Sequence, residues 1–197
     1  MKRLGITGGI GSGKTWVSRL LREVFHIPVY DCDTEAKRLM EEDETVRAQL
    51  TALVGPMAYD AEGHLNKPHL GAYLFASPQH AASVEAIVHP AVRKDFRQWC
   101  ERQTSGLVAL ESAILYESGF DHEVDEVILV DAPEEVRLAR AMQRDHASAE
   151  QIRQRMRRQD ETYARQYAAC IVHNDASDTE QTIVEQLKPY LLCYKPS

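Results

Sequence analysis

The sequence has no apolar run long enough to cross a bilayer, no CxxC pair, no internal repeat and no low-complexity tract. Each absence removes a class of protein. A membrane-spanning helix needs about 20 consecutive apolar residues, and none are there. Lys2 and Arg3 lead at once into an apolar stretch and a glycine-rich loop, so the start of the chain reads as structural rather than as a secretory leader. The four cysteines, Cys32, Cys100, Cys170 and Cys193, are widely spaced. That spacing argues against a disulfide frame or a zinc site and fits free thiols in a reducing cytoplasm. Basic residues are in deficit as well: 23 Lys and Arg stand against 30 Asp and Glu, a net charge of −7. A chain of that sign is a poor partner for nucleic acid or an anionic membrane surface, so any affinity for phosphate has to be local.

What is present is ordinary in bulk and specific in one place. The 197 residues, 44% hydrophobic and 27% charged, suffice for one sizeable α/β domain with a helical insertion. Near the start, Gly8-Gly9-Ile10-Gly11-Ser12-Gly13-Lys14-Thr15 matches G-x-x-x-x-G-K-[ST], the phosphate-binding P-loop. Residues 3–7 before it read as a buried strand, and Val17, Leu20, Leu21 and Val24 after it recur at helical spacing. The glycines allow the backbone to approach a phosphate closely, and the following helix adds its positive end. Lys14 is then placed to reach the β- and γ-phosphates, and the Thr15 hydroxyl to ligate Mg²⁺.

The rest of the chain alternates strand and helix, which predicts a parallel sheet covered on both faces. Strands are expected at 27–30, 107–110, 126–130 and 171–173. From about Asp43 to Arg102 the pattern is helical, broken near Gly55-Pro56, Gly63 and Ser77-Pro78. His89-Pro90 reads as a helix boundary, because the residue before proline disfavours the α region. A helix opens at Asp131-Ala132-Pro133 with Pro133 in its first turn and runs to about Arg144. A second, highly charged helix is expected from about Ala149 to Tyr167. The predicted fold is a P-loop three-layer α/β domain with a five-stranded parallel sheet. Its core covers about 1–42, 103–136 and 168–197, with an acceptor-binding helical insertion over about 43–102 and a lid over about 137–167.

A P-loop alone names no reaction. A GTPase needs N-K-x-D after a strand, and Asn66-Lys67-Pro68-His69 lacks the aspartate. A small kinase remains, which requires an acceptor-side base and a basic lid. Asp31-Cys32-Asp33 offers the base: one carboxylate for the acceptor proton, the other for metal-bound water or substrate. The alternative is that Asp33 caps the next helix. Arg137, Arg140 and Arg144 recur at i, i+3 and i+7 and share one helix face, fit for ATP phosphates. Arg153, Arg155, Arg157 and Arg158, with Glu150, Asp160 and Glu161 nearby, read as a solvated charged face.

At this point the chain resembles the dephospho-CoA kinase family over nearly its whole length. The resemblance rests on Gly5 to Thr15, on Asp31-Cys32-Asp33 where the family usually has Asp-Ala-Asp, and on Gly63-His64-Leu65 with Leu70 and Phe75. It continues through His89-Pro90-Ala91-Val92-Arg93, Ile114-Leu115-Tyr116-Glu117, Arg140, Arg144-Asp145, Gln159 and Asn174. It implies transfer of a phosphoryl group from ATP, with Mg²⁺, to the ribose 3′-hydroxyl of dephospho-CoA. In that reading Asp33 is the base, while Lys14, Arg140 and Arg144 stabilise phosphoryl charge. Gly9, Ile10, Gly11, Ser12, Gly13, Lys14, Thr15 and Trp16 hold the nucleotide, with Asn174 near the adenine and Thr15 on the metal. Lys67, His89 and Arg93 fall on the acceptor side, although His89 has an equally simple reading as a helix-boundary residue. The resemblance leaves both a monomer and a small homo-oligomer open. A nucleoside monophosphate kinase would not predict the His89-Pro90 segment, and a nucleotide-binding switch gives Asp33 and Arg140 no role.

Five further positions depart from the family pattern. Ala113 replaces a usual proline, with Glu111 just before it, which either adds a carboxylate near the metal or alters a turn. Lys67 replaces a common arginine and loses its bidentate fork. Ala169-Cys170 replaces an acidic pair, and Arg137 a glutamine.

Overall fold

The computed structural model describes residues 1–157, 159 and 162–192; Cys193 and the charged residues Arg158, Asp160 and Glu161 lie outside the described residues. The elements run β1 (Lys2–Thr7), α1 (Lys14–Glu23), β2 (Val29–Asp31), α2 (Cys32–Glu42), α3 (Glu44–Val54), α4 (Lys67–Ala76) and α5 (Pro78–Glu101). They continue with β3 (Leu107–Glu111), β4 (Glu126–Asp131), α6 (Glu134–Asp145), α7 (Ala149–Met156), α8 (Thr162–Tyr167), β5 (Cys170–His173) and α9 (Glu180–Leu191). The sheet order is β2-β3-β1-β4-β5, and β1 pairs in parallel with both β3 and β4. This is the expected five-stranded parallel α/β fold. It places the loop after β1 at the point where the strand order turns in opposite directions, the usual crevice for a ligand.

The strands are apolar because both their faces are covered. Leu4, Ile6, Ala109, Ile128 and Val130 are fully buried or nearly so, packed with Val17, Leu20 and Leu21 of α1 and with Ile183, Leu187 and Leu191 of α9. Each such Val, Leu or Ile side chain contributes about 1.5–3 kcal/mol of burial energy. A separate small cluster joins α6 to α7 through Leu138, Ala141 and Ile152, and Ile10 of the glycine loop packs against it. No helix among the described residues is long and apolar enough to cross a membrane.

The chain forms two compact units, one of Met1–Tyr30 with the chain from Gln103 onward, the other of Asp31–Arg102. The second unit thus begins ahead of residue 43. The reason is α2: its Arg38 donates to Asp95 of α5 at 2.9 Å as well as to Glu35 and Glu42 of its own helix.

Three local expectations are corrected. Pro90 ends no helix; it lies inside α5, whose buried stripe of Val84, Val88, Val92, Phe96 and Cys100 continues through it. Packing of that stripe outweighs the amide hydrogen the proline lacks and the bias it puts on His89. The charged segment from Ala149 to Tyr167 is two helices rather than one, with Gln159 non-helical between them. Pro133 stands just before the first turn of α6, as its N-cap residue.

Candidate active site

The loop after β1 is built around left-handed glycines. Gly11 has φ 78° and Gly13 φ 96°. A Cβ on Gly11 would lie 2.1 Å from the Arg137 carbonyl oxygen, and one on Gly13 2.1 Å from Asn174 Nδ2. Both positions need glycine for the dihedral and again for the space. Asn174, 1% exposed at the end of β5, braces the loop from behind: its Nδ2 donates to the Ser12 carbonyl at 2.7 Å. Arg140 of α6 donates to the Asn174 carbonyl at 3.1 Å, to its Oδ1 at 3.3 Å and to the Asp175 carbonyl at 3.0 Å. The structure thus brings Arg140, Asn174 and the loop together. A cavity of about 390 Å³ opens beside them, lined among others by Asp131, Pro133, Arg137, His173 and Asn174.

Lys14 lies over the loop. Its Nζ donates to the carbonyls of Gly8 at 2.7 Å and Gly9 at 3.2 Å. Thr15 Oγ1 donates to Glu111 Oε1 at 3.0 Å. Glu111 ends β3, the strand beside β1, and is 6% exposed. Its Oε2 and the Oγ of Ser12 are buried without a hydrogen-bond partner among the described residues. A buried carboxylate oxygen without a donor is costly unless a cation meets it. The Thr15 hydroxyl and the Glu111 carboxylate are hard oxygen donors of the kind Mg²⁺ takes when phosphates complete its shell. No group of three His, Cys, Asp or Glu able to hold a metal exists among the described residues.

Other expected nucleotide residues sit differently. The Trp16 amide donates to the Gly13 carbonyl at 3.0 Å, and its ring packs against the core under α1. Arg144 is not brought to the loop. Its guanidinium donates to Asp145 at 2.7 and 3.2 Å, and Arg155 reaches the same carboxylate at 2.6 Å. Hydrogen bonding from Arg144, reinforced by Arg155, holds the Asp145 carboxyl below its ordinary pKa.

Sequence reasoning assigns no role to two residues after α7 that the structure ties to the loop and to β4. Gln159 accepts from the Ile10 amide at 2.8 Å, and Arg165 of α8 donates to both oxygens of Asp131 at 3.0 and 2.5 Å. These pairs are 149 and 34 residues apart, so no spacing reveals them. Glu111 carries a signal, a carboxylate ending a strand, but its meaning needs the sheet order.

The residues expected on the acceptor side belong to the second unit. Asp31 is the N-cap of α2, accepting from the amides of Asp33 at 3.0 Å and Thr34 at 3.1 Å. The expected alternative of Asp33 as the cap is thereby corrected: Asp33 sits inside the first turn with its carboxylate exposed. Lys67 begins α4, exposed, with Nζ 4.0 Å from Glu41. His89 and Arg93 lie one turn apart on α5. Burial holds the His89 imidazole below its ordinary pKa, Glu85 opposing and Arg93 adding to the shift, which favours the neutral ring.

A left-handed glycine loop with its lysine, a buried carboxylate on the loop threonine and an arginine from α6 define a small P-loop kinase. A family model for dephospho-CoA kinase matches residues 3–180, and the chain belongs to that family. It is 45% identical over 188 residues to a dephospho-CoA kinase of Bacteroides fragilis (strain YCH46), covering 94% of this chain and 89% of the relative. It is 51% identical over 156 residues to that of Porphyromonas gingivalis, covering 79% and 76%. A crystal structure from Thermus thermophilus superposes with a TM-score of 0.85 at 33% identity, covering 100% of this chain and 98% of the other.

Proposed function

We infer that the protein phosphorylates dephospho-CoA with ATP, the last step of coenzyme A synthesis, and that the acceptor atom is the ribose 3′-hydroxyl. The observation that carries the reading is the loop itself, with a buried Ser12 hydroxyl and a buried Glu111 oxygen both awaiting partners in a chain of this family. In the reaction, Lys14 exchanges the Gly8 and Gly9 carbonyls for the β- and γ-phosphates, and Arg140 faces the phosphoryl group in transfer. Thr15 and Glu111 would hold Mg²⁺, which when bound would neutralise charge on those phosphates. Asp33, its carboxylate not engaged as the cap, takes the proton of the acceptor hydroxyl. Lys67, His89 and Arg93 bind the acceptor, and the adenine lies in the cavity beside Asn174. A cytoplasmic site of action, expected from the scattered thiols, belongs to the same proposal.

The test is an acceptor panel with Mg-ATP and dephospho-CoA, AMP, CMP, dTMP, shikimate or no acceptor, reading ADP and product mass. The expected result is ADP only with dephospho-CoA, one phosphoryl group added to it, and no transfer once EDTA is present. Transfer to another acceptor would reassign the second unit, and nucleotide binding without transfer would remove the kinase reading.

A further inference from the structure

Ile10 is held twice by the lid. Its side chain packs against the cluster of Leu138, Ala141 and Ile152 that joins α6 to α7. Its backbone amide, one of the N–H groups of the phosphate loop, donates to Gln159 Oε1 at 2.8 Å. The other end of the same side chain, Gln159 Nε2, makes a long contact of 3.5 Å with the Ala113 carbonyl in the loop after β3. Gln159 occurs where the charged segment leaves α7 and before it re-enters a helix as α8. Beyond it α8 is anchored: Arg165 pairs with Asp131, and the Tyr163 ring meets Tyr116 edge-on with centroids 4.9 Å apart. A small space of about 10 Å³ is lined by Gln159 together with Gly8, Gly9 and Ala113. A single amide therefore spans two strand-end loops with opposite polarities, its oxygen on one and its nitrogen on the other.

We propose that Gln159 is a positioning residue for phosphoryl transfer: its amide latches the lid onto Ile10 and Ala113 and so fixes the front half of the phosphate loop. The latch rests on the kinase reading of the site. Its physical consequence is specific. An amide uses both its donor and its acceptor here; an apolar side chain of the same length uses neither. Breaking the latch frees the lid and the Ile10 amide, while Lys14, Thr15, Arg140 and Asn174 keep their own partners. Turnover then suffers more than ATP affinity, and water reaches the site, so ADP forms without phosphorylated acceptor.

The experiment uses the full chain and three variants, Gln159→Met, Gln159→Ala and Gln159→Glu. Limited trypsin digestion reads release of the lid at Arg153, Arg155 and Arg157, with and without a non-hydrolysable ATP analogue and Mg²⁺. Loss of such hydrogen bonds should speed lid cleavage about fivefold in Gln159→Met and Gln159→Ala. In the same variants kcat for dephospho-CoA should fall about tenfold, KM for ATP should stay within about twofold, and the ratio of ADP to product should rise. Gln159→Glu keeps the acceptor for Ile10 but loses the donor to Ala113, so without nucleotide its lid should be protected to a degree between wild type and Gln159→Met, and it should lose that protection once the triphosphate is added. Unchanged cleavage and kcat in Gln159→Met and Gln159→Ala would overturn the latch. So would a general loss of melting temperature with cleavage throughout the chain, which marks a purely structural residue. The digestion arm needs no acceptor, so failure of wild type with dephospho-CoA would strike the kinase reading and still leave the cleavage ratios to judge the latch.

Discussion

In the phosphate loop Gly13 has no room for a methyl group, whereas Gly71 in α4 has nothing within 4 Å of where one would go. The contrast extends to the two regions around them. The loop is fixed by backbone: carbonyls of Gly8, Gly9, Ser12 and Asn174 are each in use, and buried Asn174 stands against Gly13. The unit from Asp31 to Arg102 carries the residues proposed for the acceptor as side chains on helices: Asp33 and Lys67 are exposed, and His89 and Arg93 share a face of α5. The phosphate loop thus tolerates almost no change of chain path, while acceptor recognition, in the proposed reaction, would be set by which side chains the helices carry.

The sharpest way to break this comparison is Gly13→Ala. The left-handed dihedral alone costs roughly 1–3 kcal/mol with a side chain. The added carbon would also overlap Asn174 Nδ2, whose neighbours Ser12 and Arg140 leave it no retreat. Phosphoryl transfer should fall by more than about 10³-fold, since a few kcal/mol at the transition state is worth that much. Calorimetry should show ATP binding lost as well, and the melting temperature should drop. Retention of tight ATP binding would mean that the loop is softer than its packing indicates.

Next in size is Asp33→Asn, which leaves backbone, helix and charge pairs of the second unit in place. The Asp31 cap holds the first turn of α2 without help from the Asp33 side chain. A lost general base is typically worth about 10²–10⁴-fold, so kcat should fall by at least about 10²-fold while ATP affinity and melting temperature hold. Equal loss of ATP affinity would move Asp33 out of the base role.

These two positions also show what is legible in the sequence. Gly13 is readable because a P-loop is a local pattern: eight residues contain the dihedrals, the lysine and the helix start. The alternation of strand and helix is readable for the same reason, since buried parallel strands announce themselves as short apolar runs. What sequence reasoning misses is decided by contacts distant along the chain. The α5 stripe carries the helix through Pro90, the Arg38–Asp95 pair draws α2 into the second unit, and Asp31 rather than Asp33 makes the cap. Glu111 is visible beside a departure from the family pattern, yet only the β3–β1 pairing puts it on Thr15.

Glu111 sharpens the comparison from the loop side, because there a side chain rather than backbone does the work. The variant Glu111→Gln keeps an oxygen for the Thr15 hydroxyl and removes only the charge, so it isolates the proposed metal contact. The Mg²⁺ concentration for half-maximal rate should rise about tenfold or more, in line with the cost of losing a metal-site partner. A readout independent of turnover is ATP binding by calorimetry. Without Mg²⁺ the variant should bind ATP more tightly than wild type, because the carboxylate no longer repels phosphate, and the gain on adding Mg²⁺ should shrink. An unchanged Mg²⁺ dependence in both measurements would leave Glu111 as a partner of Thr15 alone.

The smallest expected effect is the counterpart of Gly13 in the other region. Gly71 lies in the middle of α4, between Asn66 as N-cap and Ser77 as C-cap, with helical backbone and open space beside it. Alanine there costs no dihedral strain, meets no neighbour and narrows the conformations of the unfolded chain. Gly71→Ala should therefore stabilise the protein by about 0.5–1 kcal/mol, read as a small rise in urea midpoint with an unchanged m-value. Turnover and both KM values should stay within about twofold, because nothing on α4 depends on Gly71 for space. If the variant instead loses affinity for dephospho-CoA with its stability raised, the open space beside Gly71 is where the acceptor lies, and α4 would hold its ligand through backbone as closely as the phosphate loop does.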